Sequence, residues 1–163
     1  MNTKMVPSEL KRHIVEFLKE YKSGSLATCI KGIPRSSPVQ YFMGNNLDIY
    51  IISAGGDKFD AIKENPNVCL LVNTEYISYR QIKGVQVFGK ASTSVENSSL
   101  FDEAKEYCPD KNIMIQEKDK IKVIKIHPDE IVYLDSLSTG NRTKQILRND
   151  QVVIKEEKIL VAH

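Results

Sequence analysis

A chain of 163 residues with 41% apolar and 27% charged residues has the size and composition of one globular domain with its own hydrophobic core. A net charge of +2 argues against nucleic acid or an anionic membrane surface as a partner. The three cysteines lie far apart and no apolar run approaches a membrane span, which argues against a disulfide framework, a metal centre and a transmembrane segment. Residues 1–13 lack an apolar signal core, so we expect a cytoplasmic protein.

The first predicted element is a helix over residues 8–22, with Ser8 as its N-cap. Its apolar residues recur at spacings of three and four, as on a helix with one buried face. They are Leu10, Ile14, Phe17, Leu18 and Tyr21. Gly24 is expected to end this helix.

Two strands are predicted next, over residues 25–30 and 35–43. Proline cannot donate a hydrogen bond to a neighbouring strand, so Pro38 predicts a sheet edge or a bulge in the second strand. Alternation along that strand places one set of side chains on the same face: Arg35, Ser37, Val39 and Tyr41. A turn at residues 44–46 then leads into a third strand.

The next stretch predicts a strand, a glycine turn, a short helix and another strand. Gly55-Gly56 permits a tight connection, and Asp57 is placed as the helix N-cap. Asn65-Pro66 is expected to end the helix. The expected bounds are 49–53 for the first strand and 68–72 for the second.

The junction between that strand and its helix could hold a phosphate, because the first N–H groups of a helix attract an anion. Lys58 lies in the first helical turn, where a cation opposes the helix dipole unless an anion is near. The carboxylate of Asp57 would compete for the same N–H groups. From the residues alone, Lys58 is either a phosphate ligand or a solvated side chain.

The second half of the chain continues the alternation of short strands and helices. We predict an irregular segment at 74–82, a strand at 84–92 with a bend or bulge at Gly89, and a helix from Ser98 or Ser99 to Cys108-Pro109. A surface loop is expected at 111–119, followed by strands at 121–126 and 131–134 that are joined by a turn at 127–129. The chain is then expected to form a loop at 135–149 and one or two strands within 151–161. Seven or eight strands with short connections favour a closed or nearly closed antiparallel barrel with helices covering its ends.

The run SLATCIKGIPRSSPVQYFMGNNLDIYIISAGGDKFDAIKENPNVCLLVN resembles the FMN-binding split barrels of the pyridoxamine 5'-phosphate oxidase-like superfamily. The segments GVQVFGKAS and IKVIKIHPDEIVYLD extend the resemblance over residues 8–135. It implies a mainly β fold with flanking helices, an antiparallel six- to eight-stranded split β-barrel of Greek-key type. It also implies one domain over 1–163: an N-terminal helix (8–22), the barrel (25–135) and a C-terminal extension (136–163).

The resemblance further implies a homodimer with FMN in a groove between the two barrels, where hydride or electrons pass to a small organic substrate. The implied flavin-binding residues match segments of the family. The segment on the phosphate side of the cofactor is matched by Ser53 and Lys58, and the strand beside the flavin is matched by Ser36, Ser37, Pro38 and Val39. A strand that reaches the cofactor across the dimer is matched by Lys83 and Gln86. Arg142 resembles an arginine near the active-site mouth.

Several residues depart from the pattern of the pyridoxamine-phosphate oxidases themselves. Those enzymes have an arginine where Ser37 stands, a basic residue where Asp57 stands and a glutamine where Gly84 stands. They also end in a tryptophan-and-arginine substrate segment, and this chain has no tryptophan. The departures argue against vitamin B6 oxidase activity. Arg35 shares a face with Ser37 and is expected to supply the missing charge at the phosphate.

Two classes of function stay open at this point. No acid–base pair identifies a catalytic residue, so the chain is either an FMN-dependent oxidoreductase or a non-catalytic protein that binds flavin or senses a small ligand. A third hypothesis is a purely structural dimer that has lost its cofactor. The superfamily also admits haem or deazaflavin, and the internal histidines available as haem ligands are His13 and His127.

Overall fold

The computed structural model describes residues 3–158. The helices are α1 (Pro7–Glu20), α2 (Asp57–Glu64), α3 (Ser99–Tyr107) and α4 (Lys111–Gln116). The strands are β1 (Ser23–Ile30), β2 (Ile33–Met43), β3 (Ile49–Ser53), β4 (Asn67–Asn73), β5 (Lys83–Thr93), β6 (Lys122–Asp135), β7 (Lys144–Arg148) and β8 (Gln151–Lys155). None of the helices in residues 3–158 is both long enough and apolar enough to cross a membrane.

The strands form one antiparallel sheet that closes on itself. The order is β3-β2-β1-β4-β5-β6, and β6 pairs with β3 to complete a ring of six. Residues 122–126 of β6 close the ring against β3, whereas residues 130–134 pair with β7, which carries β8. The expected barrel is confirmed, and the β7–β8 hairpin continues its sheet.

The barrel is filled by the inward-facing residues of its strands, with α1 packed into the same core. The apolar stripe of α1 supplies Leu10, Ile14, Phe17 and Leu18, all at most 2% exposed. Tyr41 belongs to this core, and its hydroxyl donates a hydrogen bond to the carbonyl of Leu18 at 2.6 Å. Burial raises the pKa of this phenol well above its usual range.

A second, smaller core lies under α3 and α4. The ring of Tyr50 stacks between Phe42 and Tyr107, with ring centroids 5.6 Å apart in both pairs. Met114 of α4 and Val123 of β6 are fully buried beside them. The two helices therefore cover the outer face of β2, β3 and β6.

Three of the predicted helix caps are wrong. The first helix begins at Pro7, with Val6 as its N-cap, so Ser8 lies inside the first turn. Gly24 belongs to β1, where an added Cβ would lie 2.6 Å from the carbonyl oxygen of Leu71. The second helix has Gly56 at its N-cap with a φ of 111°, and Asp57 is its first residue. A left-handed glycine therefore takes the position assigned to the aspartate.

The segment predicted as a surface loop over 111–119 contains α4. Asp110 makes this short helix possible because its carboxylate accepts hydrogen bonds from the backbone N–H groups of Asn112 and Ile113. The predicted loop at 135–149 likewise contains β7.

The predicted turn at 127–129 is a bulge inside one continuous strand. Phe88 of β5 pairs with Glu130 and Gly89 pairs with Pro128, which leaves Asp129 without a partner across this ladder. The irregularity expected at Gly89 is thus confirmed. Of the strands expected within 151–161, β8 lies within the described residues, and 159–161 lie outside them.

Candidate functional site

The connection from β3 to α2 forms a tight loop of residues 53–56, here called the glycine loop. The Ser53 hydroxyl lies 3.2 Å from both the N–H and the carbonyl of Gly55 and can bond to either. Gly55 and Gly56 have φ values of 133° and 111°, a region that side chains with a Cβ rarely adopt. The predicted glycine turn is therefore present, and its backbone conformation favours glycine at both positions.

Two lysine side chains converge on this loop. The Nζ of Lys58 donates a hydrogen bond to the carbonyl of Gly55 at 2.7 Å, and the Nζ of Lys122 lies 3.4 Å from the carbonyl of Ala54. Neither ammonium has a carboxylate within 4.0 Å among residues 3–158. The loop thus carries positive charge that a phosphate could neutralise.

Lys122 was not anticipated from the sequence. It reaches the loop because β3 pairs with β6, which places Lys122 directly opposite Ser53. The sequence shows the alternating pattern of the strand that carries Lys122, but it does not show that this strand pairs with β3. Knowledge of the β3–β6 pairing would have identified this second lysine.

The third cation near the loop is already paired. The Nη1 of Arg35 lies 2.9 Å from the Oδ2 of Asp57, and both side chains are largely exposed. The carboxylate of Asp57 makes no capping bond to the N–H groups of α2. The expected competition for those donors is therefore absent, and Asp57 would instead compete with a bound anion for Arg35.

Residues 33–39 of β2 pair with β1 on one side only, because β3 covers residues 40–43 alone. The N–H of Tyr41 donates to the carbonyl of Lys22, so alternate residues from Tyr41 backward face β1. Pro34, Ser36 and Pro38 consequently direct their backbone groups to the unpaired side. The edge position expected for Pro38 is confirmed.

This unpaired side of residues 33–39, here called the open edge, has an unusual donor pattern. Proline has no N–H, so Ser36 supplies the single amide donor of this stretch, flanked by the outward carbonyls of Pro34 and Pro38. Val39 has its side chain in the core and its backbone turned to β1. Ser37 also turns its backbone to β1, and its side chain is half-buried on the face that carries Arg35.

Lys83 and Gln86 lie on opposite faces of β5. The Nζ of Lys83 lies 5.5 Å from the ring centroid of Phe17 and 3.8 Å from a carboxylate oxygen of Asp135. Gln86 faces outward, between Leu71 on β4 and Val132 on β6. One strand cannot direct both side chains to one surface of a ligand.

Arg142 lies in the connection between β6 and β7. Its Nη1 donates to the hydroxyl of Tyr76 at 3.2 Å, and its backbone N–H donates to the Oε2 of Glu157 at 3.1 Å. This region adjoins the end of β4 at Asn73, whereas the glycine loop and α2 adjoin the end at Asn67. The two ends are separated by roughly 20 Å, at about 3.3 Å per residue. The proposed site residues therefore form two groups within one chain.

Comparison with known proteins identifies the family. Residues 10–135 match the family model described as pyridoxamine 5'-phosphate oxidase. Among solved structures, General Stress Protein 26 from Bacillus anthracis has 25% identity and a TM-score of 0.58 over 77% of this chain and 93% of that chain. Comparison with curated proteins gave no match.

Two further solved structures are described as flavin-binding proteins. A pyridoxamine 5'-phosphate oxidase-related, FMN binding protein from Nostoc punctiforme has 11% identity and a TM-score of 0.61, over 96% of this chain and all (100%) of that chain. A FAD-binding protein from Mesorhizobium loti has 18% identity and a TM-score of 0.58, over 74% and 89%. At these identities the likeness is one of fold. Because the family model spans the whole barrel, the chain belongs to the pyridoxamine 5'-phosphate oxidase family, a family that binds FMN.

Proposed function

We propose that this protein is a homodimeric flavoprotein that binds FMN and acts as an oxidoreductase on a small organic substrate. The observation that carries the proposal is the glycine loop, where Lys58 and Lys122 hold unneutralised positive charge beside the open edge of β2. A phosphate on the loop and a flat polar ring along the edge would use both features at once.

The chain offers specific partners for each part of the cofactor. Lys58, Lys122 and the first N–H groups of α2 would hold the phosphate, and Arg35 would join them by leaving Asp57. The N–H of Ser36 and the neighbouring outward carbonyls would bond the polar edge of the ring. When bound, FMN supplies hydride or electron transfer, and the protein supplies binding and orientation.

A second copy of the chain would complete the site. Gln86 and Arg142 lie toward the end of the barrel opposite the glycine loop, so they could reach the same ligand only from a partner, whereas Lys83 faces the other side of β5. The outer face of the sheet suits such contact because it exposes apolar side chains around Gln86. Leu71, Phe88 and Val153 are 37%, 38% and 46% exposed on that face.

A non-catalytic flavin-binding or ligand-sensing protein is the second candidate. Among residues 3–158, the two histidines contact residues outside the glycine loop. The ring of His13 is 5.9 Å from that of Tyr133, and the Nδ1 of His127 is 3.0 Å from the Oδ1 of Asp48. Neither is placed as an acid or base at the glycine loop. Flavin binding without substrate-dependent reduction would favour this candidate.

We extend the proposal to the chain as a whole: one domain, located in the cytoplasm. The β7–β8 hairpin adds to the barrel sheet through β6, which supports a single unit. Three free cysteines, Cys29, Cys69 and Cys108, suit a reducing compartment.

The absorption spectrum of the purified protein tests the proposal, followed by release and identification of the chromophore. We expect FMN at about one molecule per chain, and weaker FMN binding in Lys58→Ala. Lys63→Ala is the matched control, since this lysine is exposed in the last turn of the same helix. A colourless protein that takes up no added FMN, or one that releases haem or deazaflavin, would refute the FMN proposal.

A further inference from the structure

A second candidate site lies at the opposite end of the barrel from the glycine loop. A cleft of about 500 Å³ opens between the 74–82 loop, the β6–β7 connection and the segment after β8. It is lined by Tyr76, Ser78, Tyr79, Arg80, Arg142 and Glu157, and we call it the arginine cleft. Two guanidinium groups in one cleft form a strong attraction for a carboxylate.

One carboxylate already occupies part of the arginine cleft. The Oε1 of Glu157 accepts a hydrogen bond from the guanidinium of Arg80, and its Oε2 accepts from the backbone N–H of Arg142 at 3.1 Å. These contacts lower the pKa of the Glu157 carboxyl, and the hydrogen bond from the Arg142 N–H has a larger effect than Arg80. The cleft therefore presents two directed donors to the two oxygens of a carboxylate.

The guanidinium of Arg142 is not neutralised by this arrangement. Its Nη1 donates to the hydroxyl of Tyr76, and no carboxylate lies within 4.0 Å of it among residues 3–158. Two guanidinium charges thus face one carboxylate, which leaves a net positive charge. An anionic ligand that displaces Glu157 would gain this second guanidinium as well.

The frame that carries Arg80 is held rigidly. Arg80 has a φ of 73°, a region uncommon for residues other than glycine. Its carbonyl accepts a hydrogen bond from the hydroxyl of Ser136 at 2.6 Å, and Ser136 is fully buried. The Nε2 of Gln81 bonds the carbonyl of Leu137 at 2.7 Å. These contacts hold the backbone from which the Arg80 side chain extends into the cleft.

The arginine cleft also has aromatic walls. Tyr76 is 58% exposed and Tyr79 is 89% exposed, although tyrosine rings usually bury most of their area in a fold of this kind. Their rings offer flat, largely apolar surfaces next to the arginines. A ligand with an aromatic body and one carboxylate matches both properties of the cleft.

We propose that the arginine cleft binds a small aromatic carboxylic acid, whose carboxylate replaces that of Glu157 on Arg80 and Arg142 while its ring packs on Tyr76 and Tyr79. Glu157 is then an intramolecular competitor that holds the cleft closed to weak ligands. As a carboxylate site, the proposal rests on the cleft alone. If the bound acid is also the small organic substrate of the proposed oxidoreductase, that role rests on the proposed flavin function as well.

The test is an NMR titration with benzoate, followed through the backbone amides of Arg80 and Arg142. Glu157→Gln removes the charge of the competitor with little change of shape, and we expect benzoate affinity to rise roughly tenfold. Glu156→Gln removes the same charge from the neighbouring exposed residue and should leave the affinity unchanged. Benzamide, which lacks the charge, should shift neither amide.

A double variant distinguishes the arginine cleft from any other benzoate site. Arg142→Gln added to Glu157→Gln should return the affinity to the wild-type value or below. An affinity that does not rise in Glu157→Gln, or a rise that survives Arg142→Gln, would overturn the proposal. Because FMN content is measured separately in each variant, failure of the cleft and failure of the flavin site give different results.

Discussion

The Nη1 of Arg35 lies 2.9 Å from the Oδ2 of Asp57, so the guanidinium nearest the glycine loop is held by a carboxylate on the first residue of α2. Both side chains are well exposed, at 59% and 80%, so the pair is screened by solvent and weak. Its main consequence is for binding: an incoming phosphate must draw Arg35 away from Asp57.

Asp57→Asn should therefore strengthen FMN binding. Removal of the carboxylate frees Arg35 and removes a like charge from the phosphate site, for a gain of about two- to fivefold. Flavin fluorescence quenching measures the affinity. Asp60→Asn, which removes an equal charge from the same turn without releasing Arg35, should have a smaller effect. Equal gains in both variants would show that Arg35 plays no part.

Lys122→Ala should weaken FMN binding about as much as Lys58→Ala, by roughly tenfold, since each removes one charged donor from the glycine loop. Riboflavin serves as the control ligand because it lacks the phosphate. Its affinity should be the same in the wild type and in both variants. A loss of riboflavin affinity would indicate damage to the fold or to a ring contact.

The contrast between these two lysines explains how much the sequence could predict. Lys58, Gly55 and Gly56 follow each other in the chain, so local rules identified them together. The edge position of Pro38 was also predictable, because a missing N–H constrains a strand wherever it lies. Lys122 comes from a strand far along the chain, and only the closure of β6 on β3 brings it to Ser53.

The errors have local physical causes. Asp57 looks like an N-cap, but Gly56 can adopt a φ of 111° and takes that position. Residues 111–116 are too short to show a helical period, so the cap from Asp110 was their only signal. His127-Pro128-Asp129 resembles a turn, yet the unpaired Asp129 is absorbed as a bulge within β6.

Ser36→Pro should weaken binding of the flavin ring while preserving the barrel. The amide of Ser36 faces the open edge, as Pro34 and Pro38 do, so its loss breaks no bond to β1. We expect FMN and riboflavin affinities to fall together, by roughly five- to tenfold. Ser36→Ala keeps the amide and should bind both flavins normally. Wild-type affinity in Ser36→Pro would remove this amide from the site.

Gly89→Ala should destabilise the barrel by about 1–3 kcal/mol, the usual cost of overpacking. An added Cβ at this position would collide with the carbonyl of His127 at the bulge. Lys90→Ala, at the next and exposed position of β5, should cost about 0.5 kcal/mol or less. Urea unfolding measures both. Equal stabilities would mean that the bulge can relax around the new methyl group.

The contact between Glu157 and Arg142 should depend on pH in a defined direction. The pKa of this carboxyl is lowered in the folded chain, so the contact is fully present above the ordinary pKa of glutamate, about 4.3, and is lost as the pH falls through the lowered value. The amide proton of Arg142, which donates to Glu157, reports this step in an NMR titration. Glu157→Gln should remove the step, and Glu156→Gln should retain it. A midpoint at or above the ordinary glutamate pKa would contradict the assignment, because a carboxylate stabilised by these donors must lose its charge at lower pH.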